Sequence, residues 1–218
     1  MLKELYDRLL GAFGPQHWWP GDAPFEIMVG AILVQNTSWK NVERAIANLR
    51  DAGLLEPCQL FELPVQELQE LIRPAGYFRI KAKRLRNLLR LLVEQYAGST
   101  EAMFASDPER LREQLLAVNG IGPETADSIL LYAAEVPTFV VDTYTHRVLA
   151  RHGWIGYDAD YDQIKEYFQD GLPDDISMFN EYHALLVRVG HDYCRKTPKC
   201  DTCPLREMLP PGGLSEPD

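Results

Sequence analysis

The stretch Leu116-Ala-Val-Asn-Gly-Ile-Gly-Pro-Glu-Thr-Ala126 (LAVNGIGPETA) decides how the rest of the chain is read. Apolar residues recur at helical spacing before it, from Leu111 to Leu116, and resume after it, from Ala126 to Leu131. Gly120 and Gly122, separated by one residue, let the backbone turn tightly between two helices. Pro123 suits the first position of the second helix, and the turn leaves Asn119, Gly120, Ile121 and Gly122 with backbone amides that can meet a phosphate without any side-chain charge. An ordinary helix–helix turn has the same appearance, so the stretch acquires a function only from its surroundings.

Working outward, the same period repeats. Leu2, Leu5, Leu9 and Leu10 form one stripe, and Pro24 opens a helix through Val34. Val42, Ala45, Ile46 and Leu49 mark a third helix, and Pro64 opens a short one to Ile72. Leu85, Leu88, Leu89 and Leu92 mark a long helix reaching Tyr96, and Asp107-Pro108 starts the helix before the turn. After the turn come an apolar run, Thr138 to Val141, a helix following Asp142, and two more over 161–170 and 175–193. Strand alternation is almost absent, so the chain is expected to be all-α, with about ten short helices and a disordered tail over 210–218 (PPGGLSEPD).

The 218 residues hold 22 Lys plus Arg and 32 Asp plus Glu, a net charge of −10. The hydrophobic content of 46% is that of a globular protein, and the longest apolar run, Ile27 to Val34, is too short to span a bilayer. Three of the four cysteines fall within ten residues, which does not resemble a secreted disulfide framework. The expectation is a cytoplasmic or intracellular, nucleoid-associated protein, neither secreted nor membrane-bound, acting as a monomer. The acidity argues against a nucleic-acid partner only on average. Arg73 to Val93 carries seven basic residues and no acidic one, so the remaining 15 basic and 32 acidic residues put the rest of the chain at −17. Lys81, Lys83 and Arg84 are candidates for contact with a DNA backbone. The alternative is that this run serves as internal counter-charge.

Three motifs stand in fixed order: Gln35-Asn36-Thr37, the Gly-x-Gly turn, and Val140-Val141-Asp142-Thr143 twenty residues beyond Gly122. Together they resemble the endonuclease III superfamily of helix-hairpin-helix DNA glycosylases. The resemblance covers about Phe25 to Cys203. It implies a two-lobed fold with a cleft between lobes, one lobe over 18–137 and the other joining 1–17 to 138–209. It also implies double-stranded DNA as partner, Gln35 as the wedge that fills the gap of a flipped nucleotide, and Asp142 as the catalytic carboxylate. Aspartate before a helix is also the commonest N-cap, so Asp142 has a structural reading too. Strand-cutting members of the superfamily carry a Schiff-base lysine two residues after the second glycine. Here that position is Glu124, which cannot form an imine, and the resemblance therefore implies a monofunctional glycosylase. Adenine-mismatch members carry a glutamate four residues before the wedge, where this chain has Ala31.

A closer resemblance is to the 3-methyladenine DNA glycosylase III group, carried by tandem Trp18 and Trp19, the Gln-Asn-Thr run, Trp39 and Glu124. It implies an alkylated purine as substrate. A cationic base stacked on an indole gains about 0.5–2 kcal/mol and already leaves easily, so aromatics and one carboxylate suffice. Each of Trp18, Trp19 and Trp39 is equally a candidate for plain core packing. The alternatives are an oxidised-pyrimidine glycosylase/lyase of the endonuclease III kind and a non-catalytic DNA-binding module. Finally, Cys194, Cys200 and Cys203 resemble the superfamily's 4Fe–4S loop, with a first spacer one residue short and Leu209 at the position of the fourth cysteine. That loop implies a cluster with an incomplete cysteine set, its fourth ligand absent or a non-cysteine such as His191. Zinc held by three Cys and one His, or no metal, are the other readings. Lys196 and its basic neighbours Arg195 and Lys199 in this loop are further candidates for phosphate contact.

Overall fold

The computed structural model describes residues 1–21 and 23–215. Among these residues there is no strand, and the helices are α1 (Leu2–Phe13), α2 (Pro24–Leu33), α3 (Trp39–Asp51), α4 (Pro57–Glu62), α5 (Val65–Leu71), α6 (Phe78–Tyr96), α7 (Thr100–Phe104), α8 (Pro108–Leu116), α9 (Pro123–Ser128), α10 (Thr143–Arg151), α11 (Tyr161–Gly171) and α12 (Ile176–Asp192). No helix is long and apolar enough to cross a membrane. The chain divides into two compact units, Trp19–Val136 on one hand and Met1–Trp18 with Pro137–Asp218 on the other.

The unit over Trp19–Val136 is built around α2. Phe25, Met28, Val29, Ala31, Ile32 and Leu33 are all buried, so the helix is apolar around its circumference and takes a central place. The stripes of α3 (Val42, Ala45, Ile46, Leu49) and α6 (Leu85, Leu88, Leu89, Leu92) close on the same core, with Leu111 and Leu115 of α8. Two short helices, α4 and α7, carry too few apolar residues for their period to be seen in sequence. Each is started by a side-chain cap, Glu56 on the Gln59 amide and Ser99 on the Ala102 amide. The helix expected from Pro123 to Ala134 changes character midway: α9 ends at Ser128 and Ile129–Ala133 is a π turn.

Lys81, Arg84 and Arg86 of the basic run are turned inward in this unit. Lys81, expected on a DNA backbone, is 1% exposed, and its Nζ donates to the carbonyls of Leu33 and Ala75, both at 2.8 Å. It satisfies the end of α2, where carbonyls lack helical partners, and cannot reach solvent phosphate. Arg86 donates to the Phe61 and Leu63 carbonyls beyond α4. Arg73 pairs with Glu70 and Arg90 with Glu94, while Arg79 and Lys83 are exposed.

Burial, and then the nearby Arg84 cation, pulls the Lys81 ammonium down to about 8. Below that pH both folded and unfolded chains hold the proton. Between it and the ordinary lysine value only the unfolded chain does, so stability rises with pH there. We expect wild type to gain on Lys81→Met, by up to about 1.4 kcal/mol per pH unit, when urea midpoints are compared between pH 7 and 10. A pH-independent difference would contradict this.

The other unit packs α1, α10, α11 and α12. Its core is aromatic: Phe139 stacks on Phe168 at 3.8 Å and meets Phe179 and Tyr182 edge-on. The run Thr138–Val141 is buried and extended, without pairing as a strand. Its burial delivers Asp142 to the start of α10. Gly190 of α12 is required for close approach, since a Cβ there would lie 2.6 Å from the Tyr144 Cβ. The described part of the tail is not the disordered segment expected. The Ser215 amide donates to the Arg151 carbonyl at 2.8 Å and its carbonyl accepts from the Tyr157 hydroxyl at 2.7 Å. Leu209 and Leu214 hold the segment by lining an apolar cavity. Residues 216–218 lie outside the described residues.

Candidate active site and nucleic-acid-binding hairpin

The Asn119–Gly122 turn is held by its carbonyls. Asn87 Nδ2 donates to the Asn119 carbonyl at 2.9 Å, and Gln35 Nε2 to the Gly120 carbonyl at 3.2 Å. Ile121 is 6% exposed and anchors the turn in the core. Gly120 sits at φ +101°, and a Cβ there would lie 2.3 Å from Arg84 Cγ, so only glycine fits. A Cβ at Gly122 would meet nothing within 4 Å. The turn thus presents an open backbone edge outward while its carbonyls face in. The helices on either side are clamped by Arg112 of α8 and Asp127 of α9, with Nε–Oδ1 at 2.8 Å and Nη2–Oδ2 at 3.1 Å. Glu124 is exposed at the second position of α9.

Gln35 lies in the turn after α2 and is tied to this hairpin. Besides Gly120, its Nε2 donates to Thr125 Oγ1 at 3.0 Å, and its Oε1 accepts from Arg84 Nη1 at 2.5 Å. Arg84, read from sequence as a phosphate contact, here orients Gln35. Asn36 beside it has φ +54°, a left-handed conformation that fixes the direction of the turn.

Trp19 and Trp39 meet edge-on, centroids 5.1 Å apart, across Gly30 of α2, where a Cβ would lie 3.2 Å from the Trp19 ring and 3.4 Å from the Trp39 ring. Tyr132, from the π turn, joins Trp19 at 5.1 Å. Both indoles are half-buried and pack on the core of their unit. Trp18, also half-buried, closes the N-terminal stretch of the other unit. Tyr132 was not singled out in sequence because a tyrosine inside an apolar helix reads as core; the π turn that re-aims it has no sequence signature of its own.

In the other unit, Asp142 does serve as an N-cap. Its Oδ1 accepts from the Thr145 amide at 2.7 Å and from Thr145 Oγ1 at 2.9 Å. The second oxygen, Oδ2, lies 3.8 Å from Nε2 of His183 on α12, and both side chains are about 90% buried. Burial depresses the His183 imidazole below its ordinary value, Asp142 opposing this in smaller measure. His183 was missed because a single histidine on an apolar helical stripe gives no hint of which residue it will face.

The C-terminal loop gathers Cys194, Cys200, Cys203, Leu205 and Leu209 around one apolar cavity, together with His152 from the end of α10. Burial, then the neighbouring Cys194, pushes the Cys200 thiol up, and burial pushes that of Cys203 up. Arg151 Nη1 lies 3.5 Å from Cys194 Sγ. His191, the sequence candidate for a fourth ligand, is exposed and bonded to Asp192. Among the described residues no three His, Cys, Asp or Glu side chains converge as a single ion requires, which weighs against zinc. The cavity is apolar, and Leu209 fills the place of a fourth cysteine, so the described residues do not complete the ligand set of a 4Fe–4S cluster either.

Comparison with known proteins places these features. Residues 29–174 match the profile of the HhH-GPD superfamily of base excision DNA repair proteins. A provisionally named DNA repair glycosylase of Methanocaldococcus jannaschii is 50% identical over 210 residues, covering 95% of each chain. The solved 3-methyladenine DNA glycosylase of H. pylori, bound to 1,N6-ethenoadenine, superposes with a TM-score of 0.74 at 30% identity over 87% of this chain and 94% of that one. An endonuclease III in a non-covalent complex with DNA superposes with a TM-score of 0.81 at 23% identity, over 95% and 93% of the two chains.

Proposed function

Because the chain belongs to the HhH-GPD superfamily of base excision DNA repair proteins, we propose that it is a monofunctional DNA glycosylase that releases cationic N-alkylated purines from duplex DNA. The observation that carries the base class is the aromatic face formed by Trp19, Trp39 and Tyr132 across Gly30. Indole rings attract a cation through their faces, and stacking adds about 1–3 kcal/mol per base. The similarity to a 3-methyladenine glycosylase supports the same reading.

The turn around Gly120 and Gly122 binds backbone phosphate through its outward amides, the Ile121 amide being held by the Val118 carbonyl. Gln35, pre-oriented by Arg84 and Thr125, occupies the space of the extruded nucleotide. Flipping costs a few kcal/mol and least for a damaged base. Asp142 then stabilises the positive charge that develops on the sugar and orients water. Its Oδ1 is committed to Thr145, which leaves Oδ2 for that work. The alkylated base leaves as a neutral species, so no general acid is needed, and an abasic site remains.

Monofunctionality rests on Glu124, which occupies the position of the imine-forming lysine. Borohydride added during turnover on damaged duplex is expected to trap no protein–DNA adduct. An adduct would overturn this part of the reading and favour a glycosylase/lyase.

A further inference from the structure

A glutamine amide has an acceptor oxygen and two protons on nitrogen, and in Gln35 the oxygen and both protons are engaged within the protein itself. Nε2 donates to the Gly120 carbonyl at 3.2 Å and to Thr125 Oγ1 at 3.0 Å, while Oε1 accepts from Arg84 Nη1 at 2.5 Å. These partners come from the turn, from α9 and from α6. A guanidinium only donates and a carbonyl only accepts, so together they hold the amide in one orientation. Arg84 is itself fixed by shape. Its stem lies along Gly120, where a Cβ would come within 2.3 Å of Cγ and 2.9 Å of Cδ. Three residues further along α6, on the same face, Asn87 holds the Asn119 carbonyl at 2.9 Å. Across a trans peptide the N–H points away from the carbonyl, so the bond that draws the Asn119 carbonyl toward α6 turns the Gly120 amide away from it.

We propose that Arg84 is a positioning residue for nucleotide flipping: it locks Gln35 to the Asn119–Gly122 turn, so that the wedge and the phosphate-binding amides meet the duplex as one rigid piece. The long Gln35 side chain then has little freedom left to lose on insertion, which lowers the cost of binding. A duplex seated on the Gly120 amide finds the wedge already at a fixed distance from the held phosphate. Arg84 supplies the one charged donor of the network, and charge-assisted hydrogen bonds are the strong ones. The rival reading is that Arg84, as a cation in a basic run, touches phosphate in its own right. The inference rests on the proposed role of Gln35 as wedge, and not on the class of base or on Asp142.

The test uses the full chain and a duplex in which a stable abasic analogue faces 2-aminopurine. Its fluorescence rises when the wedge unstacks it, and no base need be released. Wild type is expected to give the rise and Gln35→Ala to lose most of it. A rise that survives in Gln35→Ala would remove Gln35 as the wedge, and the inference with it, whatever base the chain releases. Arg84→Met keeps the stem along Gly120 and removes the donor. It should slow the rise by up to about 100-fold and reduce the preference for the abasic over an intact duplex, read by anisotropy. Arg84→Lys should recover part of both losses. Thr125→Val, which removes a partner from the other end of the amide, should show smaller losses of the same kind, and with Arg84→Lys it carries the test if circular dichroism shows Arg84→Met unfolded. In a Gln35→Ala background none of these substitutions should reduce the preference further. Insertion at the wild-type rate in Arg84→Met would overturn the proposal. So would a loss that persists in Gln35→Ala with a salt slope lower by about 1, the mark of a plain phosphate contact.

Discussion

Asp142→Asn is expected to lower the rate of base release by about 10²–10⁴-fold while leaving duplex affinity unchanged. The substitution is chosen because it separates the two jobs of this side chain. Asparagine caps a helix as well as aspartate does, so the Thr145 contacts of Oδ1 survive and α10 still begins at Thr143. What is removed is the carboxylate that the proposed mechanism sets against the positive charge developing on the sugar. Asp142→Ala is the complementary control. It removes the cap too, at about 0.5–2 kcal/mol, and should lower the melting midpoint as well as activity. Single-turnover release of the damaged base, with binding followed by fluorescence anisotropy, checks both. If Asp142→Asn releases base at the wild-type rate, Asp142 is only a cap. A chain that releases no base even as wild type, with duplex binding unchanged in Asp142→Asn, would instead be a non-catalytic use of the hairpin.

The largest effect on stability is expected at Arg112. Its guanidinium grips Asp127, whose side chain is fully buried, across the two helices of the hairpin. Removing one partner of a buried pair leaves a charge without compensation, at about 3–5 kcal/mol. Arg112→Ala should shift the urea unfolding midpoint accordingly and weaken duplex binding with it, because the Asn119–Gly122 turn hangs on the α8–α9 junction. The double variant Arg112→Met, Asp127→Leu should recover much of the stability, since apolar replacement of both members of a buried pair is often neutral or favourable. The coupling follows from the four-member cycle. A loss below about 1 kcal/mol in Arg112→Ala would mean that the pair contributes no more than a surface bridge does.

Much of the fold was legible because its signals are local. Prolines at 24, 108 and 123 open helices, apolar residues return every three or four positions, and Gly120 adopts a positive φ that its neighbours require. What was not legible depends on which elements meet. Lys81 looks like every other basic residue of its run, yet the register of α6 points it inward at two carbonyls, that of Leu33 at the end of α2 and that of Ala75 beyond α5. Arg84 and Arg86 are turned inward for related reasons. The inward members of the basic segment therefore satisfy carbonyls and Gln35 rather than acidic groups, and its exposed members are Arg79, Lys83 and the Glu-paired Arg73 and Arg90. The tail was misjudged because Pro and Gly content hid the leucines that anchor it.

The class of base is decided by incubating the purified chain with duplex DNA carrying methylated purines and with a second duplex carrying thymine glycol, followed by chromatography of the free bases. Release of 3-methyladenine or 7-methylguanine with the abasic strand intact, and no thymine glycol, is expected. Release of thymine glycol without either methylated purine would make the chain an oxidised-pyrimidine glycosylase instead.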